Sequence, residues 1–273
     1  MDYDQIFNEI KNKRSYLCIG LDSDSKKIPK HLLKYDDPIS EFNKIIIDNT
    51  KDLVIAYKPN LAFYEVNGSK GMETLKKTLD YIPKNIFKIA DAKRGDIGNT
   101  SSMYAKTFFE TFNFDAITLS PYMGSDSIEP FLGFKDKWAI ILALTSNQSA
   151  KDIQSIKNSG GEKLYETVIK NSMEWSSKKN MMYVVGANRE DDLLNIRKII
   201  PENFLLIPGV GAQGGDLKKI SDVGMNKNCG IMVNVSRSII YCDGSINFDQ
   251  AVRLSAMKVK SQMEEILFSN GIL

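Results

Sequence analysis

Polar and apolar positions run along this chain in two rhythms. Eight short apolar runs, at 16–21, 53–58, 86–91, 116–120, 138–144, 181–186, 204–208 and 230–235, have the length of buried strands. Between them lie stretches with apolar residues three and four apart, the pattern of helices with one buried face. Ile6, Phe7 and Ile10 make the first stripe. Asp37 followed by Pro38 reads as an N-cap and a first-turn proline, leading into Phe42, Ile45 and Ile46. Met72, Leu75 and Leu79 form a stripe stopped by Pro83, and Tyr104, Phe108 and Phe112 recur every fourth residue. Leu164, Val168 and Trp175 share a face, as do Leu193, Ile196 and Ile200 before Pro201; Val252, Val259, Met263 and Ile266 close the series.

Eight strands alternating with helices, and no low-complexity linker, predict an α/β fold of the (β/α)8 TIM-barrel type, one domain over 1–273. An open, doubly wound sheet is the alternative. The segments 121–137 and 145–161 are poorly patterned and read as long loops or short extra helices.

Charge and composition narrow the function. Lys plus Arg is 36 and Asp plus Glu is 34, so the net charge of +2 gives no case for a nucleic-acid surface. Three Cys argue against a disulfide framework and for a reducing, cytoplasmic setting, with Cys18 and Cys229 as core thiols. The single His, His31, sits in a polar stretch beside Pro29, which argues against histidine base chemistry and histidine metal clusters. No apolar run reaches the ~18 residues of a membrane span, and Met1-Asp2-Tyr3-Asp4 lacks the features of a signal peptide.

The stretch with the most chemistry is Asp91-Ala92-Lys93-Arg94-Gly95-Asp96, at the end of the third strand. Alternation places Asp91 and Lys93 on one side and Ala92 opposite, and Gly95 lets the chain turn before Asp96. One ammonium between two carboxylates is expected to stay protonated, with both aspartates ionised. A proton donor fixed between anions suits the quenching of a carbanion; a solvated ion cluster in a turn is the other reading.

In a barrel the active site lies at the carboxyl ends of the strands. Those ends carry Asp22, Lys58-Pro59-Asn60, Asp91 and Lys93, Thr145-Ser146-Asn147, Pro208, and Asn234-Val235-Ser236-Arg237. Gly209, Gly211 and Gly214 spell G-x-G-x-x-G, but late in the chain and without the acidic residue of a dinucleotide site. The loop therefore reads as a phosphate cradle, with Asp216 capping the next helix and Arg237 as a bidentate phosphate ligand rather than a plain surface charge.

Joined together, Asp91 to Ile97, Lys58-Pro59-Asn60, Pro208-Gly-Val-Gly-Ala-Gln-Gly-Gly215 and Arg237 resemble the orotidine 5′-monophosphate decarboxylase family. Pro121 to Gly124, Asp126-Ser127 and Thr145-Ser146-Asn147 are similar to its longer-chain, type 2 branch. The resemblance spans Asp22 to Arg237 and implies loss of CO2 from orotidine 5′-monophosphate to give UMP, without metal or cofactor. It implies that Lys93 protonates C6, that Asp91 faces the departing carboxylate, and that Asp22 and Lys58 hold the ribose 3′-hydroxyl with Asn60 nearby. Ser146 would contact the pyrimidine, and Gln213 and Arg237 the phosphate, with Pro208 and Gly214 among the substrate-binding residues. It further implies a homodimer in which Asp96, Ile97 and Thr100 enter the neighbouring site.

The rivals are a sugar-phosphate decarboxylase or aldolase of the same superfamily, and a non-catalytic nucleotide-phosphate barrel. Asp-x-Lys-x-x-Asp is shared with the first, but those enzymes use Mg2+ and carry an acidic ligand where this chain has Lys58.

Overall fold

The structure is a computed structural model describing residues 1–210 and 215–273. Its elements run α1 (Tyr3–Lys13), β1 (Leu17–Gly20), α2 (Pro38–Thr50), β2 (Ala56–Lys58), α3 (Ala62–Glu65), α4 (Gly68–Tyr81), β3 (Phe87–Arg94), α5 (Gly98–Lys106), β4 (Ala116–Leu119), α6 (Glu129–Leu132), β5 (Trp138–Leu144), α7 (Leu164–Met173), β6 (Met181–Val185), α8 (Glu190–Ile199), β7 (Leu205–Pro208), α9 (Leu217–Gly224), β8 (Ile231–Val235), α10 (Arg237–Ile240) and α11 (Phe248–Ser269). The strands close in chain order into a parallel barrel, β8 pairing with β1 through Leu17 opposite Val233 and Ile19 opposite Val235. Each of the eight runs read from the sequence thus supplies one stave.

The reason lies in burial on both faces. Inward side chains fill the barrel and outward ones pack under the helices, so the strands read as unbroken apolar runs. Every residue of β1, β4, β6 and β8 is buried. Helix starts follow local chemistry. Asp2 and Gln5 form a reciprocal capping box on α1, Asp37 accepts from the Ser40 amide with Pro38 in the first turn of α2, and Asp216 accepts from the Lys219 amide on α9.

Three expectations change. The run 53–58 gives only a three-residue strand, because Leu53, Val54 and Ile55 form a buried approach that pairs through the Ile55 amide and the Leu17 carbonyl. The third strand continues past Asp91 to Arg94, its pairing with β4 shifting between Ala90 and Arg94. His31 sits in a short 3-10 turn, Lys30–Lys34, its ring 5.8 Å from that of Phe248, so it packs on α11 rather than lying in a free polar loop. The segment 121–137 holds two 3-10 turns and α6, and 145–161 holds a 3-10 turn at Gln148–Asp152. Cys18 and Cys229 are buried free thiols. Among the described residues no helix is long and apolar enough to cross a membrane.

Candidate active site

The irregularity in β3 builds the site. Lys93 has a left-handed backbone, φ 48°, a conformation that costs a non-glycine residue roughly 1–2 kcal/mol. It breaks simple alternation, yet both Asp91 and Lys93 face one pocket. The Lys93 ammonium donates to Asp91 Oδ1. Lys58, from the end of β2, donates to Asp91 Oδ2 at 2.7 Å. The observed arrangement therefore reverses the expected one: a carboxylate lies between two ammoniums, not an ammonium between two carboxylates of the same chain. Asp96 lies past the Gly95 turn, its Oδ1 accepting from the Ile97 amide at 2.8 Å, and no Lys93–Asp96 ion pair forms among the described residues.

Burial sharpens the electrostatics. The Lys58 side chain is 5 % exposed and that of Asp91 11 %, against 52 % for Lys93. Burial alone would discharge Lys58, but the nearby Asp91 and Asp22 carboxylates overcome it and hold its pKa above the usual lysine value. Burial likewise works to protonate Asp91, and the Lys58 and Lys93 cations outweigh it, holding that carboxyl well below its usual range. The pair is thus fixed in its charged form.

The pocket above it has a volume of ≈ 350 Å³. Lys58, Asp91, Lys93 and Ser146 border it on the polar side, and Leu142, Val184, Leu206 and Pro208 supply apolar wall. Asp22, after β1, is held through Oδ2 by the Ser236 hydroxyl at 2.8 Å, while its Oδ1 is buried and has no hydrogen-bond partner among the described residues. A buried acceptor left empty is costly and points to a missing donor. Tyr241 fixes this loop, donating to the Asp22 carbonyl at 2.9 Å and accepting from the Asp24 amide at 2.6 Å. Asn60 adjoins Asp91 through a parallel bridge and accepts from the Ala62 amide.

The Ser146 loop is stitched to the next strand end. Asn188 donates to the Ser146 carbonyl at 2.9 Å, and Arg189 to the Thr145 and Asn147 carbonyls at 3.1 and 3.2 Å. Gly186 passes so close that a Cβ there would lie 2.7 Å from Ser146 Cα.

The remaining expected residues fall into two groups. Ile97 and Thr100 are exposed, in the turn before α5 and its first turn, and neither they nor Asp96 border this pocket. Arg237 opens α10 after β8, exposed and without an ion pair among the described residues. In the glycine-rich loop, Gly209 has φ 102° and Asp216 caps α9, whereas Gln213 and Gly214 lie outside the described residues. Sequence reasoning missed Thr118, the lone hydroxyl in the buried strand β4, which borders the pocket. A single polar residue inside an apolar strand was the signal available for it. No group of three or more His, Cys, Asp or Glu able to hold a metal ion occurs among the described residues.

A closed parallel barrel with an ion-paired pocket at the carboxyl ends of its strands defines the class: a (β/α)8-barrel protein of the kind that hosts catalysis. The model of the orotidine 5′-phosphate decarboxylase / HUMPS family matches residues 15–244, and the chain belongs to that family. It is 54 % identical over 270 residues to the orotidine 5′-phosphate decarboxylase of Phocaeicola vulgatus, covering 98 % of this chain and 99 % of that protein. To the orotidine 5′-phosphate decarboxylase of Flavobacterium johnsoniae it is 53 % identical over 272 residues, covering 98 % and 99 %. The solved structure of Leishmania donovani OMP decarboxylase superposes with a TM-score of 0.85 at 35 % identity, covering 98 % of this chain and 100 % of that one.

Proposed function

We propose that this chain is a carboxy-lyase of pyrimidine biosynthesis that converts orotidine 5′-monophosphate to UMP and CO2, with Lys93 as the acid that protonates C6. The observation that carries the reading is the carboxylate of Asp91 clasped between Lys58 and Lys93 at the mouth of a partly apolar pocket. Loss of CO2 from the pyrimidine ring leaves an electron pair in the ring plane with little delocalisation. The Lys93 cation stabilises that charge as it forms and then delivers its proton to C6. Interactions present only in the transition state raise turnover, and enzymes supply ~8–23 kcal/mol in this way. Asp91 stays ionised facing the departing carboxylate, and Lys58 keeps it so.

The other assignments follow the same logic. The empty Oδ1 of Asp22 accepts a ribose hydroxyl, with Lys58 and Asn60 beside it. Ser146 reads the pyrimidine edge. Pro208, Gly214, Gln213 and Arg237 take the phosphate, whose binding energy fixes the ring from a distance. No metal or cofactor takes part: an ammonium, Lys58, stands where the Mg2+-dependent barrels place an acidic ligand. The whole chain, 1–273, acts as one barrel domain in the cytoplasm. Two copies pair so that Asp96, Ile97 and Thr100 of each reach the other's pocket.

The test is release of CO2 from orotidine 5′-monophosphate in excess EDTA. Wild type should turn over. Lys93→Ala should lose at least a thousandfold in kcat while still binding UMP, and Arg237→Ala should chiefly raise KM, as expected when a remote charge-assisted contact is lost. Near-normal turnover by Lys93→Ala would remove the mechanism.

A further inference from the structure

A left-handed lysine at a reaction centre needs something to hold it. Gly95, two residues on, frees the chain but fixes nothing. Two side chains touch this backbone: Arg94 donates to the Ala92 carbonyl at 2.9 Å, and Thr118, which comes from β4 and is 1 % exposed, meets its amides. Its Oγ1 accepts from two successive amides, Ala92 N–H at 3.0 Å and Lys93 N–H at 2.9 Å. A hydroxyl oxygen has two lone pairs, and both are now used. Its one proton has two acceptors in reach, Asp91 Oδ1 at 3.3 Å and the Ala90 carbonyl at 3.5 Å. The first is nearer and ionised, which favours it.

We propose that Thr118 is a positioning residue for the reaction: its hydroxyl clamps the bulged Ala92–Lys93 backbone and, through its own proton, the Asp91 carboxylate, aiming both charged groups into the pocket. This rests on the reading that Lys93 is the acid. The geometry does not depend on that reading. The bulge leaves Ala92 and Lys93 amides without a strand partner, since the pairing of β3 with β4 passes from Ala90–Ile117 directly to Arg94–Leu119. Part-buried amides left over in this way need an acceptor, and the Thr118 hydroxyl is the one they find. One oxygen thereby couples the backbone of the proton donor to the side chain of its counter-ion.

Thr118→Val keeps the shape and removes the hydroxyl, whereas Thr118→Ser keeps the hydroxyl. The valine variant should lose roughly a hundredfold in kcat with KM within a few-fold of wild type, because misplacing a reacting group by about 1 Å costs that much. The serine variant should restore kcat to within a few-fold. Where the valine protein does not fold, Thr118→Cys, whose sulfur is a weak acceptor, stands in with the same expectation. Hydrogen exchange of the Ala92 and Lys93 amides gives a readout independent of turnover: protection should fall in the valine or cysteine variant and return in the serine one. Unchanged protection, or a kcat loss that serine does not rescue, overturns the clamp. Wild type that releases no CO2 while the amides respond as described overturns the decarboxylase reading and leaves the clamp standing.

Discussion

At the scale of single residues, the Lys58–Asp91 pair makes a claim about pH that can be signed. Asp91 is held below its unfolded value by the two lysines against burial. Its contribution to stability is therefore complete above about pH 4 and fades as pH falls through the lower, folded value. Lys58 is held above its unfolded value by Asp91 and Asp22 against burial. Its contribution is complete below about pH 10 and fades as pH rises through the folded value. Between those limits the pair adds a constant amount. Removing one partner of a buried pair typically costs 3–5 kcal/mol, so Lys58→Met should lose about 3 kcal/mol at pH 7, Asp91 keeping only the half-exposed Lys93. With less positive charge nearby, Asp91 should also titrate closer to its unfolded value, so the variant should lose less stability than wild type as pH falls below about 4. Urea denaturation between about pH 2 and pH 8 checks both. Parallel curves of equal midpoint for the two proteins would show that the pair does not act as described.

Elements carry the next level, and here the chain divides into what its pattern announces and what it conceals. Strands were legible because a barrel buries both strand faces, so each of the eight appears as an apolar run, and β5 spans the residues expected of it. The N-caps at Asp37 and Asp216 were legible because capping depends on three or four neighbouring residues. The bulge in β3 was not. It arises from pairing with β4, and a lysine at φ 48° carries no local mark beyond a glycine two residues later. Counting alternate residues along Asp91-Ala92-Lys93 consequently placed the right side chains in the pocket for an incomplete reason, and misjudged which charge sits in the middle. The loop after β5 gives a second case. Its Ser146 was legible as a polar strand end, but Gly186, Asn188 and Arg189, which hold it, lie in the turn after β6 and reveal their task only in three dimensions. A Cβ at Gly186 would lie 2.7–2.8 Å from Ser146 backbone and side-chain atoms, too close for either strand end to stay put. Gly186→Ala should therefore destabilise by about 1–3 kcal/mol and lower kcat/KM by roughly 10²-fold. Thermal unfolding and steady-state kinetics measure the two effects. A variant with wild-type kinetics would mean that the Ser146 loop has no part in holding the substrate.

For the whole molecule, the two ends of the barrel do different work. The amino-terminal end is knit by backbone contacts: Arg197, 9 % exposed, donates to the carbonyls of Gly224, Ile200, Asn203 and Gly230, and burial lowers its pKa to about 10. The carboxyl end carries the pocket's charges, and Asp96, Ile97 and Thr100 lie outside that pocket's lining. The same quarter exposes large apolar side chains, Ile97 at 50 %, Met103 at 62 %, Tyr122 at 85 % and Met123 at 47 %. Apolar groups clustered in this way on the surface are what a second copy would cover. A twofold pair repeats each contact, so both sites would draw Lys93 from one chain and Asp96 from the other. Lys93→Ala and Asp96→Ala should then each be nearly inactive alone. In a hybrid of the two, one site carries both substitutions and the other carries neither. Random reassortment makes half of the dimers hybrids, so mixing equal amounts should restore about a quarter of wild-type activity. The recovery should require conditions under which dimers exchange, and sedimentation should find two chains per particle. A mixture that stays as inactive as its components, though exchange has occurred, would place each site within a single chain and leave Asp96 without the part assigned to it.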